Sequence, residues 1–251
     1  MQDVAASLDG RPLVDTVAVV AGAGRGIGRA CASALARAGA HVVAIARTAE
    51  DLQTLQRESR GIETWSLDLR APGLAARLET LPRLDTVVIS AGTNAPQPFL
   101  DVDEGTLDRL IDLNVRTVFR VAQAAARTMR HHGRGGVIIP ISSQMGHVGS
   151  PNRTVYCMTK HAVEGLAKAA AVELAVHGIR VNTVAPTFVE TVLTAPMLAD
   201  DGFRRFVLDQ IPLGRLATAA EVAAAVLYLA SPLAASVTGH SLRVDGGWTA
   251  R

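Results

Sequence analysis

The sequence predicts an α/β fold: one domain, residues 1–251, built on a doubly wound parallel sheet of about seven strands with helices on both faces. Three observations carry this. Short apolar runs alternate with alanine-rich helical patterns along the whole chain. The runs are continuously apolar rather than alternating, as strands covered on both faces are. A glycine-rich turn, "VAGAGRGIGRA" (residues 20–30), joins the first apolar run to the first helical pattern. With 251 residues, 49% of them hydrophobic, the chain can bury one large core.

Taken in order, the strand-like runs are Val14–Val20, His41–Ala46, Ile62–Leu67, Thr86–Ser90, Gly136–Ile141, Arg180–Val184 and His240–Val244. Segments such as "ACASALARAG" and "AEVAAAVLYLAS" between them have helical spacing. Right-handed crossovers between parallel strands then place helices on both sides of the sheet. Residues 187–210, "TFVETVLTAPMLADDGFRRFVLDQ", break the alternation with no clean period. They follow the carboxyl end of the sixth strand, where such sheets bind ligands, and are expected to form a substrate lid.

Charge and composition exclude several classes. Lys and Arg number 25 against 23 acids, a net +2, so no global field draws the chain to nucleic acid. The densest basic stretch, "RTMRHHGRGG" (Arg127–Gly136), reads as a solvated helix end. No apolar run approaches the roughly 20 residues of a membrane span. The opening "MQDVAASLDGRP" lacks the basic and apolar regions of a secretory signal. Cys31 and Cys157, far apart, give neither disulfide nor metal spacing. A cytoplasmic protein without a metal, acting on a small molecule, is expected.

The glycine turn fails G-x-G-x-x-G, because Ile27 stands where the third glycine belongs. It fits G-x-x-x-G-x-G through Gly22, Gly26 and Gly28. Glycine lets the backbone approach a phosphate closely, and the N–H groups of the following helix then meet a pyrophosphate. That is the dinucleotide site of a Rossmann-like sheet. Arg47 ends the second strand, where the ribose-reading residue belongs; an acid there would bind the 2′-hydroxyl of NAD. A guanidinium instead suits a 2′-phosphate, and Arg25 in the turn could reach the same group. With Ala46 in place of an acid, the pair favours NADP(H), leaving NAD(H) possible. Asp68, ending the third strand, could accept from the adenine amino group or simply cap a helix.

"VYCMTKHAVEGLAKAAAVEL" reads as a long helix with Tyr156 and Lys160 one turn apart on one face. A phenol near pKa 10 is a poor acid at neutral pH. A neighbouring ammonium and an oxidised nicotinamide both favour the phenolate; a shift of about three units corresponds to roughly 4 kcal/mol. The tyrosine then becomes a usable proton donor and acceptor. Ser143, ending the fifth strand in "VIIPISSQMG", can hold a substrate carbonyl against it. Asn114, in "DLNVRTVF", would interrupt a helix with an amide able to position a water near the lysine.

With these residues in view, the chain resembles the short-chain dehydrogenase/reductases over essentially its whole length. "AGAGRGIG" resembles the family's T-G-x-x-x-G-x-G turn, and "VTGHSLRVDGGW" its C-terminal signature. Asn114, Ser143, Tyr156 and Lys160 match its catalytic four. In "VNTVAPTFVET", Val189 and Thr191 match the residues that meet the nicotinamide. The resemblance implies further cofactor contacts at Ile27, Thr48, Leu69, Ser90, Ala91, Gly92 and Pro186, besides Tyr156 and Lys160 themselves. It implies hydride transfer between nicotinamide and a carbonyl carbon: Tyr156 exchanges the oxygen's proton, Ser143 orients the oxygen, Lys160 lowers the tyrosine pKa and binds ribose, and Asn114 anchors a relay water. "GAGRGIGR", "AIART", "NVRTVFRVAQ" and "VAPTFVETVLT" are most similar to the tetrameric, NADPH-using carbonyl and xylulose reductases. Ala21, Ser90 and Thr187 depart from the common threonine, asparagine and glycine.

The expected activity is reduction of a ketone, or oxidation of a secondary alcohol, with NADP(H). The alternatives are an NAD-dependent polyol or sugar dehydrogenase and a non-catalytic nucleotide-binding regulator. Expected pocket walls are Met145, His147, Val148, Phe188, Val192, Leu193, Met197 and Phe203, mostly apolar, which favours a medium-sized hydrophobic ketone over a free sugar. His147 could pair with a polar substituent or bond to backbone. The helices around Arg109–Arg130 and Val155–His177 carry more small and apolar residues than one buried stripe needs. The resemblance implies that they pack on their copies in a D₂ homotetramer, with Ala122, Ala125, Ala167 and Ala170 allowing close approach.

Overall fold

A computed structural model describes residues 11–250; most of the opening stretch read for a secretory signal lies outside them. Eight strands form: β1 (Val17–Ala21), β2 (His41–Ala46), β3 (Ile62–Ser66), β4 (Thr86–Ile89), β5 (Gly136–Pro140), β6 (Ile179–Val181), β7 (Thr183–Pro186) and β8 (Ser241–Val244). Nine α-helices lie among the described residues: α1 (Gly26–Arg37), α2 (Ala49–Glu58), α3 (Leu74–Glu79), α4 (Glu104–Ile111), α5 (Thr117–His132), α6 (Thr154–Leu174), α7 (Ala195–Leu198), α8 (Asp201–Gln210) and α9 (Ala219–Ala230).

Six strands make one parallel sheet in the order β3-β2-β1-β4-β5-β6, and β7-β8 form a separate parallel pair. The expected single sheet of about seven strands is therefore corrected. The run Arg180–Val184 divides at Asn182, whose own N–H still bonds the Ile138 carbonyl of β5 while its side chain turns to the β8 side. That amide donates to the Val237 carbonyl at 2.8 Å and accepts from His240 N–H at 3.0 Å. One residue later Thr183 N–H bonds the His240 carbonyl, so the chain has changed partners. An isolated bridge, Ile141 to Val184, keeps the pair beside the end of β5. The first strand also starts later than Val14, because Asp15 adopts φ 59° in a turn closed by Thr16 Oγ1 on the Leu13 carbonyl at 2.6 Å.

Alternate residues of each strand feed opposite faces. Val20, Val42, Ala44, Val88 and Ile139 pack under α1, α2 and α9 through Leu35, Leu52 and Val226. Val19, Val43, Val87 and Ile138 pack under α3, α5 and α6 through Leu78, Met129 and Val163. Ala122, Ala125 and Ala167 are buried in this second cluster, and Ala170 packs against it. The small residues expected at a subunit contact therefore face the protomer's own sheet: their spacing marks the inner stripe of each helix. The outer stripe of α6 is Met158, Ala162, Gly165, Ala169 and Val172, all exposed.

Candidate active site

β1 runs into Gly22–Arg25 and then α1. A Cβ on Gly28 would fall 2.0 Å from the Gly22 carbonyl oxygen, so only glycine lets this helix begin against the strand end. Gly22, at φ 91°, packs on the backbone beyond β4, where a Cβ would meet Ala91 N at 2.8 Å. The spacing of the turn is thus the spacing needed to bring β1, β4 and α1 together. No side chain caps α1 and its first turn carries no acid. Its orphan N–H groups are left to an anion.

The turn opens on a cleft of about 720 Å³ at the carboxyl ends of the strands. Gly22, Arg25, Gly26, Ile27, Arg47, Thr48, Asp68, Leu69, Ser90, Ala91 and Gly92 line it at one end. Ser143, Tyr156, Lys160, Pro186, Val189, Thr191, Val192 and Leu193 line it at the other. Gly28 acts from behind, through helix packing.

Charges in this cleft are partly committed. Arg47 is exposed and makes no salt bridge among the described residues. Arg25, in contrast, donates from Nε to Asp51 Oδ2 of α2 at 2.7 Å. Asp68 receives Arg70 Nε at 3.1 Å and Nη2 at 2.7 Å. The Arg70 contacts, helped by the charge of Arg47, hold the Asp68 carboxyl down at about 2. Asp68 is thus engaged by a neighbouring guanidinium.

At the other end, Ser143 lies three residues past β5, before the Gln144–Gly146 turn, and its hydroxyl accepts Met145 N–H at 3.1 Å. Burial pushes the Tyr156 phenol up to about 12, while a hydrogen bond with Ser143 and the charge of Arg153 pull it back. Lys160 Nζ stands 5.5 Å from the centre of the Tyr156 ring and donates to the Ile141 carbonyl at 2.9 Å. Burial draws Lys160 down to about 8, opposed by Glu164 one turn along. Desolvation dominates both shifts, because each charged form has left water. The lysine lies over the ring face rather than among the groups that act on the phenol.

Asn114 falls in a π-helical turn, Asp112–Arg116, between α4 and α5, so it does interrupt the helix. Its side chain clamps the backbone of Thr93 on both sides: Oδ1 accepts Thr93 N–H at 2.8 Å and Nδ2 donates to the Thr93 carbonyl at 2.8 Å. Nδ2 also donates to Thr159 Oγ1 at 3.2 Å. A Cβ at Gly92 would stand 3.4 Å from Asn114 Oδ1 and 3.7 Å from Lys160 Nζ, so these groups converge.

The expected pocket walls divide. Val192 and Leu193 line the cleft and are exposed. Met145 and Phe188 are buried in a small cluster that Tyr156, Phe203 and Trp248 complete. Phe188 meets Phe203 edge-on at 5.6 Å, and Met197 touches Arg153. Val148 is half-buried just beyond the Gln144–Gly146 turn. His147 Nε2 lies 2.9 Å from Ser241 Oγ and 3.4 Å from Glu164 Oε1. Glu164 is itself buried and accepts from Thr183 at 3.0 Å and Ser241 at 3.1 Å. His147 thus braces the Ser143 turn to β7 and β8.

Sequence reasoning missed Glu164 and Arg153. Glu164 sits four residues past Lys160 and is indistinguishable there from a solvated helix acid. Arg153 had a signal. It occupies the N-cap of α6, where helices favour Asn, Asp, Ser or Thr and disfavour a cation.

A family model described as enoyl-(acyl carrier protein) reductase matches residues 22–249. The L-xylulose reductase of Bos taurus is 42% identical over 234 residues, 93% of this chain and 96% of that protein. The chain belongs to the short-chain dehydrogenase/reductase family. The carbonyl reductase [NADPH] 2 of Sus scrofa is 39% identical over 234 residues, again 93% and 96% of the two chains. Among solved structures, a gluconate 5-dehydrogenase from Burkholderia cenocepacia, in complex with NADP and tartrate, superposes with a TM-score of 0.91. It is 31% identical, with 98% of this chain and 99% of that one covered. As a short-chain dehydrogenase/reductase, the protein is an oxidoreductase acting between CH–OH and C=O groups. No helix among the described residues is long and apolar enough to cross a membrane.

Proposed function

We propose that the protein is an NADP(H)-dependent carbonyl reductase that also oxidises secondary alcohols. The observation that carries this is one cleft lined both by the glycine turn with Arg47, which makes no salt bridge among the described residues, and by Ser143, Tyr156 and Lys160. The cradle fits a dinucleotide: Gly28 lets α1 begin against the end of β1, and the uncapped N-terminus of that helix supplies donors for a pyrophosphate. Arg47 supplies the cation for a 2′-phosphate, as NADP(H) requires. When bound, that cofactor supplies or accepts the hydride.

This chain's residues do the rest. Tyr156 gives its phenolic proton to the substrate oxygen as charge grows there, and takes it back in oxidation. Ser143, hydrogen-bonded to the phenol, donates to the same oxygen and fixes its distance from Tyr156. Lys160, held by the Ile141 carbonyl, keeps a positive charge beneath the ring and meets ribose. Asn114 Oδ1, converging with Lys160 on Gly92, is the acceptor a relay water beside the lysine would use. Residues 187–210, with α7 and α8, act as the lid over this end.

The buried, unbridged thiols of Cys31 and Cys157 fit a reducing, cytoplasmic setting. The exposed apolar residues Val172 of α6 and Val176 just beyond its end, each 81% accessible, favour a homotetramer. Steady-state turnover of a panel of ketones and alcohols with NADPH and NADH tests the central reading. Activity with NADPH supports it. Absence of nicotinamide-dependent turnover across the panel would sink it.

A further inference from the structure

Arg153 is 5% exposed, three residues before Tyr156 on α6. Its surroundings suit a cation poorly. Nη1 has no hydrogen-bond partner, and Nη2 reaches only the sulfur of Met197 at 3.3 Å. The guanidinium carbon lies 5.8 Å from the centre of the Phe203 ring. No carboxylate makes an ion pair with it among the described residues. The positive end of the α6 dipole adds repulsion. A guanidinium carries five N–H donors, and a thioether and a ring face use them weakly. Buried charges are ordinarily paired.

Position says what is missing. Met197 and Phe203, which both touch Arg153, come from the segment after β7 expected to close over substrate. One helical turn away stands the phenol that exchanges the proton. Met197 is unbranched and adaptable, so it can yield its place to a ligand. We propose that Arg153 anchors the substrate, and that the substrate is a carbonyl compound bearing a carboxylate, whose paired oxygens take the guanidinium donors while its carbonyl oxygen meets Tyr156 and Ser143. The planar fork matches a carboxylate, and the apolar walls strengthen such a pair. The pocket is thus apolar in lining but anionic in preference, unlike the neutral ketone its walls alone favour. This inference rests on the carbonyl-reductase reading.

The test uses the full-length protein, NADPH and ketones that differ only in charge: acetoacetate and levulinate against their methyl esters. The acids should be preferred in kcat/KM by at least about tenfold, the scale of a charge-assisted hydrogen bond. Arg153→Met should collapse that ratio towards one. Arg153→Lys, keeping charge without the fork, should retain part of it, and it serves if the methionine variant misfolds. A ratio near one in the unmutated protein, or a ratio unchanged by both substitutions, overturns the anchor. Failure of acids and esters alike counts against the reductase reading instead, and binding then decides. Levulinate should raise the Tm of the wild-type protein with NADP present and leave Arg153→Met unmoved; equal responses overturn the proposal.

Discussion

Tyr156 and Lys160 stand in an environment that favours their neutral forms, and the chemistry asks for their charged ones. Tyr156→Phe keeps every apolar contact and removes only the exchangeable proton. It should fold and bind NADP(H) normally while losing about 10²–10⁴-fold in kcat, read by steady-state kinetics beside cofactor fluorescence titration. Lys160 titrates near 8 in the fold and at 10.5 in the unfolded chain. Between those values the unfolded chain holds a proton that the folded one has released, so this residue's contribution to stability rises with pH across the window. Tyr156, raised from 10 to about 12, contributes the opposite slope at higher pH. Denaturation of wild type and Lys160→Met from pH 7 to 10.5 should show their stability difference shifting in favour of wild type above pH 8. A pH-independent difference would refute it. At the far end of the cleft, Arg47→Asp should lower the NADPH preference by about tenfold or more, the scale of one lost charge-assisted contact. Unchanged selectivity would instead leave the 2′-phosphate to Arg25, whose Nε is held by Asp51.

At the scale of elements, the cleft depends on how closely α1 approaches the end of β1. Gly28→Ala would put a methyl 2.0 Å from the Gly22 carbonyl, and the obstacle is backbone, which cannot rotate aside. Overpacking of this kind costs about 1–3 kcal/mol. The larger effect should fall on nucleotide affinity, because the helix start and its N–H groups must move together. Calorimetric titration with NADP and thermal melting check both, and an alanine variant with unaltered affinity would show that the turn is only structural. The motif was legible here because a glycine that no other residue can replace leaves its mark in one dimension. The division at Asn182 was not legible. A buried strand residue that hands the chain from β5 to β8 looks like any polar interruption until its three partners are in space.

For the whole molecule, the proposed tetramer uses the outer faces of α5 and α6. Val172 and Val176 are each 81% exposed on the protomer, where apolar side chains gain nothing from water. Two isologous contacts should close a D₂ tetramer of about four times 26.3 kDa. Light scattering at micromolar concentration should return that mass, and Val172→Asp should reduce it to dimer or monomer. A monomeric wild-type protein would refute the arrangement.

The sequence by itself determined the α/β class, the dinucleotide turn, and the pairing of Tyr156 with Lys160. Each rests on spacing along the chain: the continuous apolar run of a covered strand, the glycines of a close approach, one turn of helix. Tertiary structure decided what spacing cannot express. It turned Ala122, Ala125 and Ala167 inward, because the sheet claims the small-residue stripe of each helix first. It tied His147 to Ser241 and Glu164, groups more than 15 residues away in sequence. It also left Arg153 buried beside the reactive tyrosine without an acid, since a guanidinium's partners are set by what the fold brings around it.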